Sequence, residues 1–486
     1  MVTRARQLAG QSSLYTLGEV ARSGIAFLLL PLYTRLLSPA DYAILGVTAP
    51  LLALLTILMA LGTPTALVRC YFDHRQDPEA LRRYVGTVAV FGLVAGLAAA
   101  LLLTLAGPAL FGRLVPNTPF HPYVLLTVWN AGLSVVAALA LQLFRAQQRA
   151  HRFVAFSLAD ALLTAGLIVA LVAGLRLGAL GSLWGQLLAA LIMAGPALWA
   201  LGRAGRLGFS WPLLRPTLRL GLPLLPALLG AWALNVSDRV VLDRLVSREA
   251  LGLYTLSYQF GVLLNIVAMA LNNAWQPFFF QHAAEGGHDR LLGALVTYQV
   301  ALMTTLALAV ALLAPEVIRL IAAPAYWPAA GLVPWIAAGY AVRHLAFFPM
   351  GSLLYRKAAG WIAGLTVAAA ALNIGLNLLT VPRFGVQAAA VNTLVAFAAL
   401  FLALLAVGQR AYPLRYQWPR LLRVAAAALL LFALGQRLPP AEPLWLSAAV
   451  KLALLAALPL LLWLTGFFTP AERAKVGQLV GRLVGW

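Results

Sequence analysis

Residues 12–37, SSLYTLGEVARSGIAFLLLPLYTRLL, are long and apolar enough to cross a bilayer, yet they carry Glu19 and Arg22. A charge at membrane depth costs at least ~2.5–3.5 kcal/mol, so an acid and a base there need a reason. At spacing i, i+3 they share one helix face, and that face extends to Ser12 and Tyr15. Two accounts fit. Either the pair neutralises itself against a neighbouring helix, or the stripe faces a water-filled cavity, where intramembrane ionisable groups usually point. The second account gives it the chemistry of binding a charged ligand or moving a cation.

Other segments offer similar choices. Arg343, followed by His344, lies midway along an apolar stretch, either snorkelling or binding a ligand. Arg69 ends the second stretch as an interfacial anchor or as a further cation. Asp160 stands two turns into the fifth, where a helix N-terminus favours a carboxylate, and is otherwise a candidate for ion coupling. Asn272, Asn273 and Gln276 end the eighth stretch, and Asn373 and Asn377 share a face of the eleventh. Those amides either join helices or touch sugar hydroxyls. Lys451, near an outer helix end, is expected to snorkel.

The elements that position these groups follow from composition. Of 486 residues, 62% are hydrophobic and 10% charged, against roughly 25% charged in soluble domains. The apolar runs are of the length that helices crossing a ~30 Å hydrocarbon core require, not the short alternating strands of outer-membrane barrels. The chain is therefore an all-α integral membrane protein. Fourteen segments are expected near 11–37, 42–68, 84–106, 122–144, 153–175, 179–202, 216–236, 250–272, 293–314, 329–354, 358–380, 385–408, 421–436 and 444–466. Prolines 31, 223 and 226 make the first and seventh candidates for bending. The first is too long and too polar for a cleaved signal peptide.

The net charge of +21 does not call for nucleic acid, because the basic residues are spread through short loops. With the N-terminus inside, 23 of the 35 basic residues fall in inner loops and tails, nine outside and three within segments. That bias sets orientation: both termini are expected in the cytoplasm.

The chain also repeats itself. RLLSPADYAIL at 35–45 resembles RLVSREALGLY at 244–254, MAL at 59–61 recurs at 269–271, and LGALGSLWGQLLA at 177–189 resembles FGVQAAAVNTLVA at 384–396, all at offsets of 207 to 210. The offset spans six segments, so the halves are parallel repeats. Residues 1–206 form an N-lobe, 207–410 a C-lobe, and 411–486 two further helices with a cytoplasmic tail. At this offset Glu19 and Arg22 correspond to Leu228 and Ala231, so the charges belong to one lobe only.

Enzyme chemistry lacks its parts. The sequence has no GxxxxGK[ST] phosphate loop, no paired acids in an outer loop and no loop beyond about 20 residues. A single cysteine, Cys70, excludes an internal disulfide, and the loop histidines 282 and 288 lack partner ligands. SDRVVLDRLVSRE at 237–249 balances three acids with three arginines and reads as a solvated outer cap. No cofactor or metal is expected, although H⁺ or Na⁺ coupling is a candidate.

RLLSPADYAILGV after the first segment, and the stretch NVSDRVVLDRLVSREALGLYTLSYQFGVLLNIVAMALNNAWQPFFF at 235–280, resemble the polysaccharide-biosynthesis proteins, the Wzx-like oligosaccharide-lipid flippases. These belong to the multidrug/oligosaccharidyl-lipid/polysaccharide exporter superfamily. The resemblance implies a V-shaped two-lobe bundle in the bacterial inner membrane. Its implied cargo is an undecaprenyl-diphosphate-linked glycan, such as an O-antigen repeat unit, moved from the inner to the outer leaflet. It further implies a monomer working beside polysaccharide polymerase or export partners. In the similar lipid II flippases cavity arginines hold the diphosphate, and Arg22 occupies the matching helix. Arg offers a fixed fork of donors for phosphate, and Glu19 would moderate it. A cation antiporter of the same superfamily is the alternative. It usually has twelve helices and favours acidic cavity residues.

Overall fold

The computed structural model describes residues 18, 24–25, 27–206, 208–287, 289–438, 443–470 and 472–474. The helices are α1 (Leu30–Leu36), α2 (Pro39–Ala60), α3 (Thr63–Asp73), α4 (Pro78–Leu114), α5 (Leu125–Ala146), α6 (Ala150–Val169), α7 (Gly178–Ala204) and α8 (Trp211–Gly221). They continue as α9 (Leu225–Leu245), α10 (Arg248–Glu285), α11 (Asp289–Ile321), α12 (Val333–Tyr355), α13 (Ala359–Ala411), α14 (Trp418–Gln436) and α15 (Leu444–Leu464). No strand occurs among the described residues.

Local chemistry sets the helix starts. Ser38 caps α2 by accepting from the Asp41 amide, and Asp77 caps α4 by accepting from the amides of Glu79 and Ala80. Both caps precede a proline at the first helical turn, where its missing N–H costs nothing. Leu61 and Gly62, both in the left-handed region, break α2 from α3. A Cβ on Gly62 would strike the Gly221 carbonyl, so the break needs glycine for φ and for space.

Eleven helical stretches among the described residues are long and apolar enough to span a membrane. The chain is a multi-pass membrane protein. One of these stretches, α13, has 53 residues, about 80 Å of helix against a ~30 Å core. It is two crossings broken at Gly385, where φ is 63° and ψ −156°. The described residues thus hold twelve apolar crossings, beside the 23-residue α12 and the seven-residue α1. Pro223 lies in a 3₁₀ turn between α8 and α9, and Pro31 follows a turn at the start of α1, so the regular helix is interrupted at both prolines. Several helices outrun the apolar segments. Thus α4 covers 78–114 rather than 84–106, and α10 continues through Asn272 and Asn273 to Glu285 instead of ending there.

Packing divides the chain into two units. The first comprises 1–256, 321–326 and 363–392. Within it α2 and α5 are the most enclosed membrane stretches. Leu101, Leu102 and Leu105 of α4 point outward, as lipid-facing residues should.

The second unit comprises 257–320, 327–362 and 393–486. Here α14 and α15 lean on α11 through Leu308, Leu312, Val424, Leu431 and Leu458. Lys451 does not snorkel. It is 3% exposed, with Nζ 2.6 Å from Glu316 Oε1, and Ser447 donates to the same oxygen at 2.7 Å. The ammonium stays at depth because a carboxylate 135 positions away meets it.

A second clamp sits at the other end of this hairpin. Arg420 Nη2 lies 2.9 Å from Glu472 Oε2, Nη1 donates to Gln417 at 2.7 Å, and the guanidinium covers the Phe467 ring at 4.5 Å. Burial raises the Glu472 pKa, but hydrogen bonds from Thr469 and Tyr298, with the Arg420 charge, hold it below its ordinary 4.5. A depressed carboxylate stabilises fully above its unfolded value, and that stabilisation is lost as pH falls through the folded value. Amide hydrogen exchange at 469–474 should therefore lose protection as the solution is acidified below about pH 4.5. Arg420→Gln should remove both the protection and its pH dependence; protection that ignores pH would contradict the clamp.

Candidate functional site

In the first unit, α2, α5, α6 and α7 enclose a cavity of about 570 Å³ that also touches the start of α3 and Leu228 of α9. Small side chains make the room: Ala49, Ala53, Ala137, Ala138 and Ala190 stand where larger residues would close it. Asp160 is the only carboxylate among the lining residues, which also include Asn130, Ser134, Thr164 and Gln186. Ser134 donates to the Asn130 amide oxygen at 3.2 Å. Gln186 donates to Ser182 at 3.3 Å, and Ser182 bonds the Tyr33 hydroxyl at 2.9 Å, so the polar lining continues toward α1.

Asp160 is the eleventh residue of α6, about 15 Å from its start. The terminal field of a helix fades within its first turn, so it does not explain this acid as the sequence suggested. The cavity does. Its other polar members went unnamed in the sequence reading, yet two signals were present: Asn130–Ser134 and Asp160–Thr164 are both i, i+4 pairs on apolar helices.

The second unit holds Arg343. It is half-buried at mid-α12, 5.7 Å from the Tyr340 ring centroid and 5.5 Å from that of Phe397. Tyr258 stacks edge-on against Tyr340 at 6.0 Å. Aromatic faces attract a guanidinium without neutralising it, and no carboxylate among the described residues pairs with it. His344 is 1% exposed, set against the edges of Phe347 and Phe348, with neither ring nitrogen bonded.

The remaining candidates are dispersed. Arg69 pairs with Asp73 one turn on, on an exposed face of α3. Asn272 is buried with its amide oxygen unbonded, while Asn273 is exposed. Asn373 and Asn377 are buried in a ladder: Asn377 donates to Asn373 at 3.2 Å, and Asn392 donates to Asn377 at 2.8 Å. The ladder links the two parts of α13 on either side of Gly385, and the Asn373 amide nitrogen has no bonded partner among the described residues. Tyr15, Glu19 and Arg22 lie outside the described residues.

The stretch 237–249 is not a solvated cap. Asp238 and Asp243 are each 2% exposed. Tyr254 donates to Asp238, and Asp243 accepts from Thr118 Oγ1 at 2.7 Å and the Asn117 amide at 2.9 Å. These carboxylates fasten α9 to α10 and to the turn after α4, which charge balance alone could not reveal.

Helices of spanning length make the chain a multi-pass membrane protein. The sequence profile of the polysaccharide biosynthesis protein family matches residues 8–282, more than half of the chain, and the chain belongs to that family. No curated protein matches it. Its fold is similar to that of the lipid II flippase MurJ in an inward closed conformation, with a TM-score of 0.76 at 12% identity, covering 94% of this chain and 98% of that one. It is also similar to an inward-facing multidrug resistance MATE family transporter (TM-score 0.65, 16% identity, 83% and 95% covered). A transporter of the same superfamily from Pyrococcus furiosus gives 0.56 at 16% identity over 84% and 96%. These neighbours are flippases and transporters, not enzymes.

Proposed function

We propose that the chain is a flippase for an undecaprenyl-diphosphate-linked oligosaccharide, carried by alternating access from the cytoplasmic to the outer leaflet of the bacterial inner membrane. The observation that carries this reading is Arg343, a half-buried guanidinium at mid-helix that no acid among the described residues neutralises. A diphosphate is multiply anionic and matches the guanidinium fork, and low dielectric strengthens the contact. The family match supports a polysaccharide precursor as cargo, and the likeness to a lipid II flippase supports a lipid-linked one. Arg22 adds a second cation by its place in the sequence, with Glu19 as its moderator. Asp160 takes the coupling proton or sodium ion. The arginine bias puts both termini in the cytoplasm, and the chain works as a monomer.

Asp160 and the MATE likeness favour a cation antiporter as the second reading. Arg343 argues against it, because it would repel a cationic drug. In vesicles carrying lipid-linked glycan below saturation, Arg343→Ala should slow translocation about 10- to 100-fold, as the loss of hydrogen bonds to a charged group predicts. Arg343→Lys should recover part of the rate by restoring the charge without the fork. Translocation by Arg343→Ala at the wild-type rate, or cation efflux by the wild type, would overturn the reading.

A further inference from the structure

The helical stretch Trp211–Leu245 has 35 residues, about 52 Å where the hydrocarbon core is ~30 Å. The excess is α8, set off from α9 by the 3₁₀ turn at Leu222–Leu224. One face of α8 is fixed to its unit. Leu214, Thr217 and Gly221 are buried, and the Thr217 hydroxyl bonds that of Tyr84 at 3.0 Å. The linker before it is fixed as well: the Arg206 amide donates to the Arg82 carbonyl at 2.8 Å, and a Cβ on Gly86 would collide with the Arg206 carbonyl.

The other face of α8 is open and has two kinds of residue. Trp211, Arg215 and Arg219, at i, i+4 and i+8, form an exposed stripe, beside which Leu220 and Leu222 are also exposed. Phe209, 58% exposed, and Trp211, 55% exposed, extend the apolar part. Arg203, lying 4.9 Å over the exposed Trp199 ring, and Arg206 extend the basic part. No carboxylate among the described residues pairs with any of these four arginines. The acids at the neighbouring helix ends are engaged elsewhere, Glu79 with Arg83 and Asp73 with Arg69.

A short helix held by one face, with arginines beside tryptophan and leucine on the other, suits the boundary between lipid headgroups and acyl chains. Unneutralised arginines at that boundary attract anionic lipid, worth about fivefold in affinity for each. We infer that the exposed face of α8, together with Arg203 and Arg206, is a docking site for anionic phospholipid of the bilayer, separate from the site of the transported lipid. That the leaflet is the cytoplasmic one rests on the orientation given under Proposed function; the binding itself does not.

The test uses purified full-length protein in neutral detergent, titrated with phosphatidylglycerol or phosphatidylcholine. Bound lipid is counted by native mass spectrometry, and no glycan lipid is present, so the flippase reading is not at stake. Wild type should prefer phosphatidylglycerol, and Arg215→Gln/Arg219→Gln should need about 30-fold more of it. The lysine pair should retain the preference, and salt should weaken it. If the glutamine pair aggregates, Arg203→Gln/Arg206→Gln replaces it with the same expectation. Equal binding of the two lipids by wild type, or an unchanged preference in a folded glutamine variant, overturns the inference. So does a preference for a soluble acidic protein over phosphatidylglycerol.

Discussion

Lys451→Met should lower the stability of the protein by about 3–5 kcal/mol, the usual effect of breaking a buried ion pair from one side. Glu316 would then keep a charge at 6% exposure with only the Ser447 hydroxyl on Oε1, and its Oε2 already has no bonded partner. Glu316→Leu should be comparably harmful, since it strands the ammonium. The double variant should recover most of the loss, because two apolar residues remove both desolvation penalties together. Melting of the purified protein in detergent reads all three, and single variants that melt like wild type would show that the pair contributes nothing. The effect should be large because lipid does not drive apolar helix faces together. Leu458 and Leu462 of α15 could face acyl chains at little cost, so Lys451 and Ser447 decide which side of α15 meets α11.

That pair also marks where sequence reading stops. Hydropathy locates a membrane helix because the bilayer interior leaves a backbone few options, and the apolar spans among the described residues were legible that way. It reports the apolar interior alone, so it missed the extensions of α4 and α10, where the Asp77 cap and a charged first turn start α4 early and Gln276, Gln281, His282 and Glu285 carry the end of α10 into polar surroundings. A carboxylate inside an apolar segment singled out Asp160, and local i, i+4 spacing found the Asn373–Asn377 pair, because both are written in the chain. It did not find Glu316 for Lys451, Thr118 for Asp243 or Tyr340 for Arg343 as a partner. For the first two the partner is more than 120 positions away. For Tyr340, i−3 from Arg343, the sequence offered an ordinary apolar neighbour, and only the added Phe397 ring makes it half of an aromatic seat. Balanced charge misled at 237–249 for a related reason: two of its acids turn inward to bond hydroxyl and amide groups.

Asp160→Asn should leave the fold intact and make translocation indifferent to the imposed ion gradient. The substitution preserves shape and hydrogen-bonding capacity and removes the one carboxylate among the described residues that line the cavity. A cation can shift a conformational equilibrium only through its different affinity for the two states, and a swing from 1:99 to 99:1 needs a ratio of about 10⁴. Neutral Asn130, Ser134, Thr164 and Gln186 can orient a cation, but without the acid they lack the charge for such a ratio. Asp160→Glu should keep gradient dependence with altered affinity. The identity of the ion follows from a second measurement. If the ion is a proton, asparagine mimics the protonated acid, and sodium should not change the melting temperature of the wild type. If it is sodium, the wild type should be stabilised by Na⁺ as a bound ligand, and Asp160→Asn should lose that stabilisation. A variant that retains the full gradient response would remove Asp160 from coupling and leave the cavity a packing defect bridged by water.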